Sequence, residues 1–146
     1  MHSAAVVPLR CAANATLDPH LADLVSAVDG LNGVVVASLD GFALAEVGRA
    51  DGTAERLAAM TSSMLGLANA LGRELQIGAL DTLILDAEDG KVLMLTIPSQ
   101  PPRLLMAACS QACVMGQILW QAKQCVHAIA GIMATSAPTA HNQYSL

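Results

Sequence analysis

The sequence predicts an α/β/α sandwich built on a five-stranded, mainly antiparallel sheet, with elements in the order αββαβββα. Two pairs of short apolar runs each flank a turn, and three longer segments have helical periodicity. The paired runs are typical of hairpins, which make neighbouring strands antiparallel. Runs such as 34–36, 83–85 and 92–95 are continuously apolar, which is typical of strands buried on both faces. Helices should therefore cover both sides of the sheet.

The first helix is expected from about residue 18 to 29. Asp18 is a suitable N-cap and Pro19 fits the first helical position. Leucines and valines then follow at helical spacing until the glycines that end the segment. Residues 1–16 lack the basic start of a signal peptide and are expected to be a flexible tail.

The first hairpin is expected to join strands at 33–39 and 42–47. Asp40-Gly41 between them predicts a type I′ turn, in which both central residues need positive φ. A long helix should follow from about 53 to 76, capped by Asp51 or Thr53.

The second half contributes three strands and a helix. Runs at 79–86 and 91–98 form the second hairpin, and 103–108 is the fifth strand. The last helix should run from about 110 to 132. The domain therefore spans residues 17–132, followed by a flexible tail at 133–146.

Composition excludes some function classes. The 146 residues are 54% hydrophobic and only 13% charged, against about 25% charged in an average domain. This excess predicts that some surface is buried against another chain. The net charge of -5, with no basic cluster and 2% aromatics, argues against nucleic acid binding. No apolar run reaches the roughly 18 residues of a membrane span.

No motif for catalysis, cofactor binding or metal binding is found. P-loop, zinc-protease and nucleophile-elbow motifs are absent, and the histidines are widely spaced. The acidic residues Asp86, Glu88 and Asp89 fit a solvated turn, with a divalent-cation site as the alternative. Cys109 and Cys113 could share a helix face. Free thiols that pack as small apolar groups are expected, with a redox or metal pair as the alternative.

The helix at 53–76 has two uncharged sides. Its large apolar residues share one face and should pack on the sheet: Leu57, Met60, Met64, Leu67, Leu71 and Leu75. The opposite face holds small residues, namely Ala59, Ser62, Ser63, Gly66 and Ala70, with charges at the helix ends. Small residues let two helices approach closely. We expect a homodimer contact here, with Gly66 near a two-fold axis and end charges pairing across an antiparallel crossing. A weakly polar exposed face is the alternative.

The last helix carries the single tryptophan. Trp120 lies away from the predicted core face, among uncharged neighbours. It is either part of a contact surface, where Trp is enriched, or a cover over the first helix.

Four features of the sequence resemble the Roadblock/dynein light chain family. They are the order of elements, the stretch VVVASLDGFALAEVG after a helix ending DGLNG, the small-residue helix, and the hairpin around Glu88-Asp89-Gly90. The resemblance covers about residues 17–132. It implies a homodimer in which the second helices pack side by side and the third strands join two sheets, here through 79–86. The resulting interface set is Ala59, Ser62, Ser63, Gly66, Ala70, Arg73, Leu80, Thr82 and Ile84. Arg56 and Trp120 are candidate partner contacts.

The resemblance also implies a function. Family members are non-enzymatic platforms or regulators of small Ras-like GTPases, or adaptors on motor complexes. Bacterial members often accompany a gliding-motility-type GTPase, and some raise its hydrolysis rate by reorganising its own catalytic residues. The resemblance does not point to an arginine finger. The absence of motifs predicts no cofactor or metal, and the free thiols predict a cytoplasmic scaffold. The alternatives are a small-molecule sensor, a structural adaptor, or an enzyme dependent on Cys109 or Cys113.

Overall fold

The computed structural model describes residues 7–48 and 52–136, which form eight elements. They are α1 (Val7–Ala27), β1 (Leu31–Ser38), β2 (Ala43–Val47), α2 (Ala54–Glu74), β3 (Thr82–Asp86), β4 (Gly90–Ile97), β5 (Arg103–Ser110) and α3 (Met115–Ser136). The order αββαβββα and the number of strands confirm the predicted fold class.

The five strands form one antiparallel sheet in the order β2-β1-β5-β4-β3. The two hairpins, β1–β2 and β3–β4, lie at opposite ends, and β5 joins them by pairing with β1 and β4. Val34 is opposite Val47 on β2 and Ala107 on β5, so apolar side chains line up across strands. This topology leaves β2 and β3 as the two edges of the sheet.

Helices cover the two faces of the sheet unequally. Val34 and Val36 belong to a core with α1 and α3, whereas Val35 and Ala37 belong to a core with α2. This division follows from the alternation of side chains along a strand. The single helix α2 lies mainly over β1 and β2. The other half of that face, over β4 and β3, is therefore only partly covered.

The first helix begins at Val7, so the predicted start at Asp18 was wrong. Pro19 lies inside the helix, where it removes one N–H donor, and the alanine-rich segment before it favours continued helix. One carboxylate oxygen of Asp18 is buried without a hydrogen bond, and burial raises the pKa of this group. The predicted tail at 1–16 thus overlaps α1, while residues 1–6 lie outside the described part.

The first hairpin turn also differs from the prediction. Of the Asp40-Gly41 pair only Gly41 has positive φ, at 91°. Gly41 N–H donates to the Ser38 carbonyl oxygen, and Ser38 N–H donates to that of Phe42. These bonds enclose a three-residue loop at 39–41. In such a loop a single glycine provides the positive φ, whereas type I′ needs two such residues.

The prediction that β3 is buried on both faces was wrong for the single chain. Leu83 and Leu85 are half-buried on the α2 side, and Ile84 is 43% exposed. The reason is topological: β3 has one neighbouring strand, and α2 lies over the other end of the sheet. Its continuous apolar run indicates a strand whose cover is not supplied by this chain.

Candidate functional site

The face of α2 that packs on the sheet is not the one predicted. The buried positions are Ala54, Ala58, Thr61, Leu65 and Gly72. Small side chains here allow the helix backbone to lie close to the strands, and Ala58 has no exposed surface. At the C-terminal end, a Cβ on Gly72 would lie 2.5 Å from the Gly78 carbonyl oxygen, so the returning chain also packs closely.

The large apolar residues of α2 lie beside this contact and form an apolar stripe. It consists of the predicted face, Leu57, Met60, Met64, Leu67, Leu71 and Leu75. Leu57 and Met64 are half-buried, whereas Met60, Leu71 and Leu75 are exposed, and Leu67 is 72% exposed. The prediction that this face packs on the chain's own sheet was therefore wrong. The stripe points toward the uncovered half of the sheet and is rotated by about 100° from the buried face.

A groove of about 340 Å³ separates the stripe from the strands beyond it. Its walls are Leu57, Met60, Thr61, Met64, Leu85, Val92, Met94, Met106, Ala108 and Thr53. Thr53 and Thr61 supply its only side-chain hydroxyls, and the Thr61 hydroxyl donates to the Leu57 carbonyl oxygen at 2.7 Å. The groove is thus lined almost entirely by apolar side chains, four of them methionines.

The predicted small-residue face lies on the opposite side of α2, next to the β1–β2 hairpin. The Ser62 hydroxyl donates to the Leu39 carbonyl oxygen, and a Cβ on Gly41 would be 3.2 Å from the Ala59 Cα. Part of this face is therefore in contact with the chain's own hairpin. The other members, Ser63, Gly66 and Ala70, are exposed, and so is the neighbouring interface candidate Arg73.

The predicted strand contacts lie at the open edge of the sheet. Thr82 begins β3, and Ile84 is exposed at its centre. Leu80 lies just before β3 and is held by α2, because its N–H donates to the Asn69 side-chain oxygen at 3.0 Å. The structure thus places Leu80, Thr82 and Ile84 together, and the apolar stripe lies on the same side of the molecule as this edge.

The two candidate partner contacts lie on different helices. Arg56 is exposed on α2, beside the stripe. Trp120 is 61% exposed on α3, opposite the buried positions Ile118 and Ala122, so most of its surface is not used to cover α1. These two residues do not form one site in the single chain.

The cysteines in the described part are packed as core residues. Cys109, Cys113 and Cys125 are buried and free of disulfides. Burial, followed by the neighbouring Cys113, raises the pKa of the Cys109 thiol to about 11. Burial and then Asp23 raise that of Cys125 to about 11. Cys109 lies in β5, one residue before its end, and Cys113 lies two residues before α3 begins, so the two do not share a helix face.

The acidic turn residues and the other possible metal ligands in the described part of the chain do not form a metal centre. Asp86, Glu88 and Asp89 are exposed around a turn closed by the Ala87 N–H and the Gly90 carbonyl oxygen. Across residues 7–48 and 52–136, no three histidine, cysteine or carboxylate side chains are placed to hold a metal ion. No helix in the same ranges has the length and apolarity to cross a membrane.

The exposed apolar surface that the sequence pattern did not predict is the apolar stripe. Two adjacent faces of α2 could pack on a sheet, and side-chain hydrophobicity alone favours the face with the larger residues. One available signal was Arg56 and Glu74, which border the stripe at its two ends in the same way that exposed charges border an interface.

Several solved structures from bacteria have the same fold. MglB from Myxococcus xanthus has 12% identity and a TM-score of 0.72, covering 90% of this chain and 95% of that one. The gliding protein MglB from Thermus thermophilus has 15% identity and a TM-score of 0.73, covering 84% and 91%. A Roadblock/LC7 domain from Streptomyces avermitilis has 18% identity and a TM-score of 0.73, covering 77% and 93%.

Family membership rests on the sequence itself. No curated protein matches the chain. The sequence model of the Roadblock/LC7 domain matches residues 17–100, which is more than half of the 146 residues and extends from α1 into the connection after β4. Together with the shared fold, this match shows that the chain belongs to the Roadblock/LC7 domain family.

Proposed function

We propose that this chain is a non-enzymatic homodimeric platform that binds and regulates a small Ras-like GTPase. The observation that carries the proposal is the apolar surface running from the α2 stripe across the groove to the β3 edge, in a chain of the Roadblock/LC7 family. Such a surface is typical of a protein interaction site. A cytoplasmic location in a bacterium accompanies the proposal.

A second copy is the occupant that best fits this surface. A two-fold axis beside β3 would bring two β3 strands together and place the two stripes against each other over the groove. Pairing would cover the backbone groups of an edge strand, which are otherwise open to aggregation. It would also bury Leu67 and the other exposed residues of the stripe.

The small-residue face remains the alternative dimer contact. Its exposed members, among them Gly66 and Ala70, would let two helices approach closely. We favour the stripe because the β1–β2 hairpin already contacts Ser62 and Ala59, and because burying the stripe removes more apolar surface from water.

In this proposal the chemistry belongs to the GTPase. Regulation would occur by rearranging the catalytic residues of the bound GTPase, without an arginine finger from this chain. Arg56 and Arg73 are the exposed arginines of α2. A finger typically contributes 10³-fold or more to the hydrolysis rate, so Arg56→Ala and Arg73→Ala should each lower any stimulation by far less than that factor.

The testing experiment begins with affinity capture from native lysate, with GDP and with a non-hydrolysable GTP analogue. Enrichment of a Ras-like GTPase in one nucleotide state identifies the partner. The purified pair is then tested for binding by titration and for hydrolysis at increasing amounts of this chain. A purified GTPase that neither binds nor changes its hydrolysis rate would contradict the proposal.

A small-molecule sensor is a second candidate, because the groove has ligand-sized volume. The groove has few polar side chains, so it is a poor match for a charged metabolite. A thermal-shift screen with apolar and polar metabolites separates the two candidates. A ligand that raises the melting temperature in proportion to its concentration, with no GTPase captured, would favour the sensor.

A further inference from the structure

Two oppositely charged residues of α2 lie near its two ends, centred one residue beyond the midpoint of the helix. Arg56 and Glu74 are both exposed and are 18 positions apart. This spacing is about five helical turns, so they lie on one line along the helix, about 27 Å from each other. Their midpoint is Leu65, and the line runs along the edge of the stripe that faces away from the sheet.

The apolar stripe is centred half a residue further along the chain. Met60 and Leu71 are equidistant from a point between Leu65 and Gly66. So are Met64 and Leu67. In an antiparallel pair of α2 helices with its two-fold axis at this point, each methionine would lie opposite a leucine of the second copy. The charged and apolar patterns therefore specify the same register to within one residue.

Resting on the homodimer proposed above, we infer that Arg56 pairs with Glu74 of the partner subunit, and that the two symmetric pairs make α2 select a second copy of this chain in this antiparallel register. A parallel arrangement would place like charges together. An antiparallel partner helix of similar shape but with reversed charges would also place like charges together. Opposite charges across an interface contribute more to such selection than to affinity.

A second pair of charged residues can distinguish which face of α2 forms the dimer contact. Glu55 and Arg73 are also 18 positions apart, but they lie on the hairpin side of α2. Glu55 accepts a hydrogen bond from the Ala43 N–H at 3.5 Å. A contact through the stripe leaves this pair far from the interface, whereas a contact through the small-residue face would bring it across the axis.

The experiment uses two charge reversals, Arg56→Glu and Glu74→Arg, made separately. Each homodimer then contains two like-charge contacts, and we expect the dissociation constant to rise about tenfold at low salt. Mixing the two variants restores both attractive pairs. We therefore expect a heterodimer close to wild-type affinity, detected by native mass spectrometry with one variant mass-tagged. High salt should reduce the difference, because the charges are exposed.

Arg73→Glu is the matched control and should self-associate like the wild type. A wild-type chain that stays monomeric would contradict the proposed homodimer itself. A wild-type dimer whose Arg56→Glu and Glu74→Arg variants associate equally well, alone and mixed, would overturn only the inferred register. Weakening by Arg73→Glu alone would likewise overturn it and assign the contact to the small-residue face.

Discussion

The hydroxyl of Ser62 donates a hydrogen bond to the carbonyl oxygen of Leu39 at 2.5 Å, which joins the middle of α2 to the first hairpin. The same side of the helix places Ala59 against Gly41. α2 is therefore held over β1 and β2, and its apolar stripe is turned toward the open half of the sheet.

Leu67→Glu should separate the proposed dimer, because it places two charges near the two-fold axis in an apolar contact. Gly66→Leu is the matched variant on the neighbouring small-residue face. No atom lies within 4 Å of a Cβ added there, so the monomer should tolerate it. Light scattering should show a monomer for Leu67→Glu and a dimer for Gly66→Leu. The reverse pattern would assign the contact to the small-residue face.

Gly41→Ala should lower the free energy of unfolding by about 1–3 kcal/mol. Alanine at φ 91° is strained, and its Cβ would lie 3.2 Å from the Ala59 Cα. Gly52→Ala is the control, because it has φ 78° with open space around the added Cβ. Urea unfolding should show the larger loss at Gly41. Equal losses would show that the α2–hairpin contact can relax.

Leu93→Ala should destabilise the fold by about 2–5 kcal/mol, because this fully buried side chain lies in the core shared with α1 and α3. Leu71→Ala, an exposed position on the stripe, should change unfolding by less than about 0.5 kcal/mol at concentrations where the chain is monomeric. At higher protein concentration, where the wild-type chain is expected to dimerise, Leu71→Ala should weaken this association. Comparing urea unfolding at two protein concentrations measures both effects.

Stability should fall as the pH rises from about 9 to about 11. Burial raises the pKa of Cys125 from 9.0 to about 11, so the folded state holds this proton more tightly than the unfolded state. The contribution of the neutral thiol is complete below pH 9 and is lost as the pH passes through the folded value. Cys125→Ala should flatten this dependence in urea unfolding. An unchanged slope would show that other groups cause it.

Much of the fold is specified by local sequence patterns. The apolar runs around Asp40-Gly41 and around the acidic turn at 87–90 specify two hairpins, and helical periodicity specifies three helices. These signals need only neighbouring residues, and they gave the order αββαβββα. Boundaries were less accurate: α1 extends back to Val7, because one proline did not outweigh the helix-forming residues before it.

The sequence by itself determined which residues share a face of each element, because side-chain direction repeats with the helical and strand periods. Only the tertiary structure decided which face of α2 turns to the sheet. Close packing against β1 and β2 buried Ala58 and left Leu67 exposed, although Leu67 is the more apolar side chain. Burial depends on what lies opposite a residue across space, and the periodicity of a single helix contains no record of its neighbours.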